Sequence, residues 1–388
     1  MKRTKILAMV CAAVLLVALF AGCSGKPAAS DGKATVKIGG IGPITGGAAI
    51  YGNAVKQGAE LAIAEINAKG GIQFEMNFQD DAHDAEKSVN AYNTLMDWGM
   101  QVLLGPVTSD PATAVAAEAD RDHIFMLTPS GSSTKITDGH ENVYQMCFSD
   151  PNQGLASAKY ISEKKLSEKI AIIYKSDDAY STGIYEKFSA EAKEKALTVV
   201  YTGTFTSDSE TDFSAQLTAA KSAGADLLFL PIYYTPISLI MQQAKSIGLD
   251  VTYFGVDGMD GLLSLAGFDK SLAEGAYLLT PFSADSTEEK SAAFTKAYRE
   301  KFGMEPNQFA ADAYDCVYAF AQAFDTAGAD VASKDHKTIC DEMIKQFTSM
   351  KFTGLTGAGV AMTWNAAGEI SKEPMAVIIK NGVYTSVE

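Results

Sequence analysis

Two periodicities alternate along most of this chain. Short apolar runs read as buried strands, and stretches with an apolar residue every three or four positions read as amphipathic helices. The clearest instance lies at Val36–Gly71. An apolar run, Val36–Ile41, breaks at Gly42-Pro43, and a glycine-rich loop, Thr45-Gly46-Gly47, follows. Val55, Ala59, Ala62 and Ile66 then share one helical face until Gly70-Gly71 stops the helix. Strand, loop and covering helix form the opening unit of an α/β sheet. The same pattern predicts strands at Phe74–Gln79, Val102–Gly105, Ile124–Thr128, Ile170–Tyr174, Thr198–Thr204, Leu227–Pro231, Val251–Gly255 and Ala276–Thr280. Helices are predicted between them, as at Lys87–Met96, Asn152–Lys164 and Phe213–Ala223. Such alternation implies mostly parallel sheets with right-handed crossovers. The C-terminal end differs: Ala376–Ile379 and Val383–Ser386 flank Lys380-Asn381-Gly382, a hairpin with an Asn-Gly turn.

A chain of 388 residues is long for one core, so two lobes are expected. Phe148-Ser149-Asp150-Pro151 ends the first run of βα units and Thr280-Pro281-Phe282 ends the second. Gly357-Ala358-Gly359 precedes the hairpin. Three crossings at these points assign 35–149 plus 282–357 to lobe one and 150–281 plus 358–388 to lobe two, with hinge closure between them. The predicted fold class is α/β: two doubly wound parallel-sheet lobes joined by a three-stranded hinge.

The N-terminal residues 1–23 are set apart as a targeting segment. Lys2, Arg3 and Lys5 precede an apolar run, Ile6–Phe20, too short to span a membrane comfortably but suited to a signal h-region. Leu19-Phe20-Ala21-Gly22-Cys23 resembles a bacterial lipobox, with Cys23 as the lipid-anchored residue and Phe20 where Leu, Val or Ile is usual. The alternative is an ordinary signal peptide with an unrelated cysteine. Residues 24–34, small and polar, read as a flexible tether. The charge of −15, from 32 basic and 47 acidic residues, argues against nucleic acid and against lying on an anionic membrane. Contact with a membrane is expected through the lipid alone. Cys147, Cys316 and Cys340 allow at most one disulfide and fit small buried hydrophobes better.

In open α/β sheets ligands bind beyond the carboxyl ends of the strands. Two such loops, Pro106-Val107-Thr108-Ser109-Asp110 and Pro129-Ser130-Gly131-Ser132-Ser133, are hydroxyl-rich and placed to start helices, where free N–H groups suit an anion. Plain N-capping by Ser109 and Ser132 is the competing explanation for each. In the second half, strand ends carry Asp177-Asp178-Ala179-Tyr180, Ile232-Tyr233-Tyr234-Thr235 and Val256-Asp257-Gly258. Tyrosines offer an apolar face with a polar tip, and an acid in a cleft suits a ligand ammonium. Enzyme signatures are thin. The four histidines, His83, His123, His140 and His336, have no metal-ligand spacing, and neither a nucleophile elbow nor a phosphate loop occurs. Ser132-Ser133-Thr134-Lys135 fits S-x-x-K, the pattern of acyl-serine enzymes, without its companion motifs. No cofactor or metal is expected.

From Val36 to the C-terminus the chain resembles periplasmic-type substrate-binding proteins of branched-chain or aliphatic amino acid ABC transporters. The resemblance is carried by IGPITGGAAIYG, ELAIAEINAKGGI, QDDAHD, LLGPVTSDPA, FMLTPSGSS, DDAYSTG and YFGVDG, in that order and spacing. It implies two lobes closing on one amino acid. Val107, Thr108 and Ser109, with Ser130, Gly131 and Ser132, would hold the ligand carboxylate, and Asp257 its ammonium. Tyr180 and Tyr233 would face the ligand from lobe two; Tyr51 and Phe309 would line its side-chain pocket. Relatives often bridge two cysteines where this chain has His83 and Thr108, so that disulfide is absent. Asp257 stands where some relatives have Glu, and the shorter acid shifts the ammonium position. The resemblance further implies a membrane permease as partner. A monomer is expected, located with its lipid anchor on the outer face of the cytoplasmic membrane or in the periplasm. Alternatives are a sensor of the same fold, a binder of a small amide, urea-like compound or aromatic acid, and an acyl-transfer enzyme using Ser132 and Lys135.

Overall fold

A computed structural model describes Thr35–Val387, apart from Ala329. The expected signal segment, Cys23 and the tether lie outside the described residues. In chain order the regular elements begin with β1 (Thr35–Gly42), α1 (Ala49–Ala68), β2 (Gln73–Asp80), α2 (Ala85–Trp98), β3 (Val102–Leu104), α3 (Ser109–Asp122), β4 (Phe125–Thr128) and β5 (Val143–Gln145). There follow α4 (Asp150–Lys164), β6 (Ile170–Lys175), α5 (Ala179–Glu194), β7 (Val199–Phe205), α6 (Ser214–Ser222), β8 (Leu227–Leu230), α7 (Tyr234–Ser246), β9 (Thr252–Gly255) and β10 (Tyr277–Thr280). The last are α8 (Glu289–Phe302), α9 (Gln308–Ala327), α10 (His336–Phe347), β11 (Met375–Lys380) and β12 (Val383–Ser386).

These elements build two sheets. The first runs β2-β1-β3-β4-β5 and is parallel throughout. The second runs β12-β11-β10-β9-β8-β6-β7; its body is parallel and β11 and β12 close one edge antiparallel. Central strands such as Val102–Leu104 and Leu227–Leu230 are buried along their whole length, because helices cover both faces and leave no solvent side. Every predicted strand appears, with ends shifted by a residue or so. The unpredicted β5 is three residues long, too short to carry a periodicity. The hairpin turns at Asn381 (φ 54°) and Gly382 (φ 72°), the positive φ pair that an Asn-Gly turn supplies.

The chain passes from β5 to α4, whose Ala158 and Ile161 pack under the second sheet. After β10 it returns, and α9 packs along α1 while α10 lies on β3 and β4. The third connection falls later than the sequence suggested. Gly357-Ala358-Gly359 is a turn, exposed at Ala358 and Gly359, and the chain beyond it stays on the first sheet. Trp364 Nε1 donates to Gln145 O at 2.8 Å, and Gln145 N donates to Gly368 O at 2.9 Å. Lys372 Nζ donates to Asp312 Oδ1 of α9 at 2.8 Å, with both side chains buried. Only at Met375 does the chain join the second sheet.

Helices α1 and α9 approach closely because α1 carries glycine at the contact. A Cβ on Gly58 would lie 2.0 Å from Ala310 O, a backbone atom that cannot yield. Overpacking of this kind typically costs about 1–3 kcal/mol. Gly58→Val is therefore expected to lower the melting temperature by several degrees, whereas Gly47→Ala, with open space at its Cβ, should leave it nearly unchanged. Calorimetric scans of the two variants check this.

Candidate functional site

The loops at the carboxyl ends of the strands converge between the two sheets. From the first sheet come those after β1, β2, β3 and β4; from the second, those after β6, β8 and β9. They form a ring of side-chain contacts.

The hydroxyl side is built by the loops after β3 and β4. Ser109 does not cap a helix, since the N-cap of α3 is Thr108 without a side-chain bond. Instead Ser109 Oγ accepts from Ser132 N and Ser133 N, each at 3.3 Å. A hydroxyl that accepts twice keeps its own proton to donate, which suits an incoming carboxylate. Ser130 is the opposite case. Its Oγ donates to Val107 O at 2.7 Å, so only lone pairs remain. Thr128 Oγ1 accepts from Gly131 N at 2.8 Å, while Gln145 Nε2 donates to Gly131 O and Ser133 O. These bonds hold the loop rigid. Ser132 Oγ stays buried without a closed hydrogen bond and faces Asp150. The loop after β4 enters only a single 3₁₀ turn, Thr134–Ile136, so it supplies no α-helix N-terminus as the sequence suggested. Lys135 is exposed while Ser132 is fully buried, which removes the S-x-x-K pairing.

The acidic side comes from α4 and the loop after β9. Asp257 Oδ1 accepts from Tyr180 Oη at 2.6 Å, and Tyr180 Oη accepts from Gly258 N at 2.9 Å. Gln153 Oε1 accepts from Asp257 N at 3.2 Å, and its Nε2, otherwise unpaired, lies beside the carboxylate. Burial pushes the Asp257 carboxyl up to about 6 despite the Tyr180 bond. Asp150, one helical turn before Gln153, is 1 % exposed, and neither of its oxygens is paired. Burial above all, opposed by the Ser132 hydroxyl and reinforced by the charge of Asp257, raises its carboxyl well above the usual range. Asp260 Oδ2 accepts from Gln308 N, and burial pushes this carboxyl to about 6.

Aromatic rings complete the circuit. Tyr180 stacks on Tyr233 with centroids 4.8 Å apart, Tyr233 meets Tyr51 edge-on at 5.6 Å, and Tyr51 lies 4.2 Å from Phe309. His83 then links Tyr233, at 5.3 Å, to Thr108, whose Oγ1 lies 2.8 Å from His83 Nδ1. Tyr51, Val107, Thr108, Ser109, Ser130, Gly131, Ser132, Tyr180, Tyr233, Asp257 and Phe309 all belong to this ring or to the loops that hold it. Sequence reasoning missed Asp150 and Gln153, which it treated as a hinge and a helix start. It also missed Tyr234, which helps to join the lobes. Tyr51 Oη donates to Gly258 O at 2.5 Å and accepts from Tyr234 N at 3.2 Å; Ile50 N donates to Tyr234 Oη at 3.2 Å. Thr235 Oγ1 adds a bond to Gly47 O at 2.7 Å. The available signal for Asp150 was an acid directly before Pro151 at a lobe crossing. No group of three or more potential ligands that could hold a metal ion occurs among the described residues.

Two α/β sheets facing each other across a ring of hydroxyls, carboxylates and aromatic rings define a protein built to enclose a small polar molecule. The chain belongs to the periplasmic binding protein family, whose pattern it matches over residues 35–377. It is 31% identical over 76% of its length to the Leu/Ile/Val-binding protein BraC3 of Rhizobium johnstonii, covering 80% of that protein. It is 28% identical, over 76% of its length and 79% of the relative, to the leucine-, isoleucine-, valine-, threonine- and alanine-binding protein of Pseudomonas aeruginosa. The structure superposes with a TM-score of 0.81 on the branched-chain amino acid transporter substrate-binding protein LivJ from Streptococcus pneumoniae, solved in complex with isoleucine. There the identity is 30%, with 91% of this chain and 99% of that one covered. The family is one of binding proteins, not of enzymes.

The buried acids make stability depend on pH in an unusual sense. Asp81, Asp178, Asp257 and Asp260 are pushed to about 6 and Asp312 to about 7, chiefly by burial. A carboxyl whose folded value exceeds its unfolded value binds more protons when folded, so stability falls as pH rises from about 4 to 7. The ligand-free protein is expected to melt several degrees higher at pH 5.5 than at pH 7.5. Asp150→Asn should raise the melting temperature at pH 7.5 and shrink that difference. Thermal scans at the two pH values test both, and equal melting temperatures would contradict the burial argument.

Proposed function

We propose that the chain is an extracytoplasmic solute receptor that captures an aliphatic or branched-chain α-amino acid between its lobes and delivers it to an ABC transporter permease. One observation carries this reading. The ring holds two buried acids without a cation, Asp150 with neither oxygen paired and Asp257 bonded through Oδ1 to Tyr180, together with a serine, Ser109, whose hydroxyl still has its proton to give. A zwitterion leaving water needs both ends paired. The ammonium would lie against Asp257, with Asp150 nearby. The carboxylate would take Ser109, Ser132 and backbone groups of Val107–Ser109 and Ser130–Ser132, and the side chain would meet Tyr51, Phe309, Tyr180 and Tyr233. Charge-assisted hydrogen bonds contribute on the order of 1.5–3 kcal/mol each, so a few of them with an apolar pocket reach micromolar binding, about −8 kcal/mol. The names of the relatives, which bind leucine, isoleucine and valine, support the same ligand class.

The reading extends to the rest of the chain. Cys23 would anchor the protein by lipid, residues 24–34 would serve as tether, and the receptor would act as a monomer. We take lobe one as the first sheet with α8–α10 and lobe two as the second sheet with α4–α7, closing about their three connections. Among the described residues no helix is long and apolar enough to cross a membrane.

Titration calorimetry against the proteinogenic amino acids, and against analogues lacking either the amine or the carboxylate, tests the proposal. Binding of a molecule without a cationic nitrogen, with every amino acid ignored, would end it. Asp257→Ala is expected to weaken amino acid binding by about 2–5 kcal/mol, because the ammonium would then be buried without its partner. Affinity should be flat above pH 7 and fall below pH 6, since protonation of Asp257 removes the charge that the ammonium needs. Binding near pH 6 should therefore release protons, which calorimetry in buffers of different ionisation enthalpy measures.

A further inference from the structure

Four buried polar atoms without a partner, Ser132 Oγ, both carboxyl oxygens of Asp150 and Gln153 Nε2, lie along one edge of the site. Asp150 occupies the junction of the two halves. Its N donates to Ser132 O at 2.9 Å, which ties α4 to the serine loop of the first sheet. Its carboxyl rests on α5 at Gly183, where a Cβ would come within 3.0 Å of Oδ2, and it faces the Ser132 hydroxyl. Gln153, one helical turn on, sets its amide beside Asp257. The edge thus runs from the serines to the acid that would take the ammonium, with Asp150 at the serine end.

Charge decides what Asp150 can do there. The charges that bear on it most are acids: Asp257 from the loop after β9, Asp178 from the start of α5 and Asp110 from the first turn of α3. Cys147 and Tyr233, also near it, are kept neutral by burial. No lysine or arginine is bonded to it among the described residues. An α-amino acid brings one ammonium, which Asp257 takes, and leaves no cation for a second ionised acid. An ionised carboxylate only accepts hydrogen bonds. It would draw the Ser132 proton to itself and leave lone pairs facing the guest's carboxylate. A neutral carboxyl carries an O–H. It can donate to Ser132 Oγ and leave that hydroxyl its own proton, the condition that Ser109 meets by accepting twice.

We infer that Asp150 is a positioning residue that keeps its proton in the complex, gives it in a hydrogen bond to Ser132 Oγ, and so turns the Ser132 hydroxyl toward the ligand carboxylate. The inference rests on the amino acid reading above. It gives the two acids different tasks: Asp257 meets the ammonium as an anion, and Asp150 serves the opposite end of the ligand as an acid.

Calorimetry at pH 7 with leucine, and with leucinamide, which keeps the ammonium but lacks the carboxylate, tests it on the full folded protein. Asp150→Asn, whose amide N–H replaces the acid O–H, should bind leucine nearly as the wild type does. Asp150→Ala should lose about tenfold in leucine affinity and much less in leucinamide affinity. That loss should vanish when Ser132→Ala is already present, because the acid acts through the serine. A role in packing alone would couple neither to Ser132 nor to the ligand carboxylate. The asparagine variant, expected to be more stable than the wild type, guards against a folding defect in the alanine one. Infrared difference spectra between the leucine complexes of wild type and Asp150→Asn should show the carbonyl band of a protonated carboxyl in the wild type alone. Absence of that band, or a loss of about tenfold or more by Asp150→Asn toward both ligands, would make Asp150 an anion facing the ammonium. Either result would overturn this inference and leave the amino acid site standing. Failure of the wild type to bind any aliphatic amino acid would overturn both.

Discussion

Buried negative charge without a cation of its own organises this protein. Asp150, Asp257 and Asp260 are each at most 4 % exposed, and the hydrogen bonds they receive leave several oxygens unanswered. Elsewhere the chain treats a buried acid differently. Asp312 has Lys372 against it, and Asp315 is closed by Leu355 N, Thr356 N and Thr356 Oγ1. The contrast lies within one molecule, at comparable burial. Desolvated carboxylates that are not paired raise the free energy of the empty protein, and a positively charged guest removes that strain. The facing sheets, the rigid serine loop and the aromatic rings surround these groups and limit the access of water.

Closure between the sheets does not depend on the acids alone. Tyr51 touches Gly258 and Tyr234, Tyr234 touches Ile50, and Thr235 touches Gly47, all through protein groups on opposite sides of the cleft. A guest therefore adds to an existing set of contacts rather than supplying all of them, and the shift it must cause between conformations is correspondingly smaller. Tyr51 has a double part, since the same side chain that packs on Phe309 bridges the lobes through its hydroxyl.

Much of this was legible in the residues. Strand and helix alternation appears directly in runs such as Val36–Ile41 and Leu227–Leu230, because buried parallel strands must be apolar throughout. Position at the carboxyl ends of strands drew attention to the serine loops and to Asp257, and the family resemblance gave them roles. What could not be read is what each hydroxyl does with its proton. Ser109 and Ser130 look alike in sequence, yet one accepts twice and the other donates to Val107 O, a difference set by neighbours 23–24 residues away in the chain. Asp150 was taken for a hinge residue because its position before Pro151 speaks of backbone and not of the groups that surround it. The third connection between sheets was misplaced for a similar reason: a pair of glycines marks a turn, while the bonds of Trp364, Gly368 and Lys372 that keep the chain on the first sheet are long-range.

The order in which the sheets are completed has a bearing on synthesis. The second sheet starts at Ile170, but its antiparallel edge is supplied by Met375–Ser386, after α8–α10 have been laid on the other sheet. A ribosome must therefore finish nearly the whole polypeptide before β10, already paired with β9 on one side, finds β11 on the other. Until then β10 offers an open row of backbone donors and acceptors to any passing strand. A nascent or truncated chain ending before Met375 would carry that sticky border, and a helper that shields it during biogenesis would be matched to this topology.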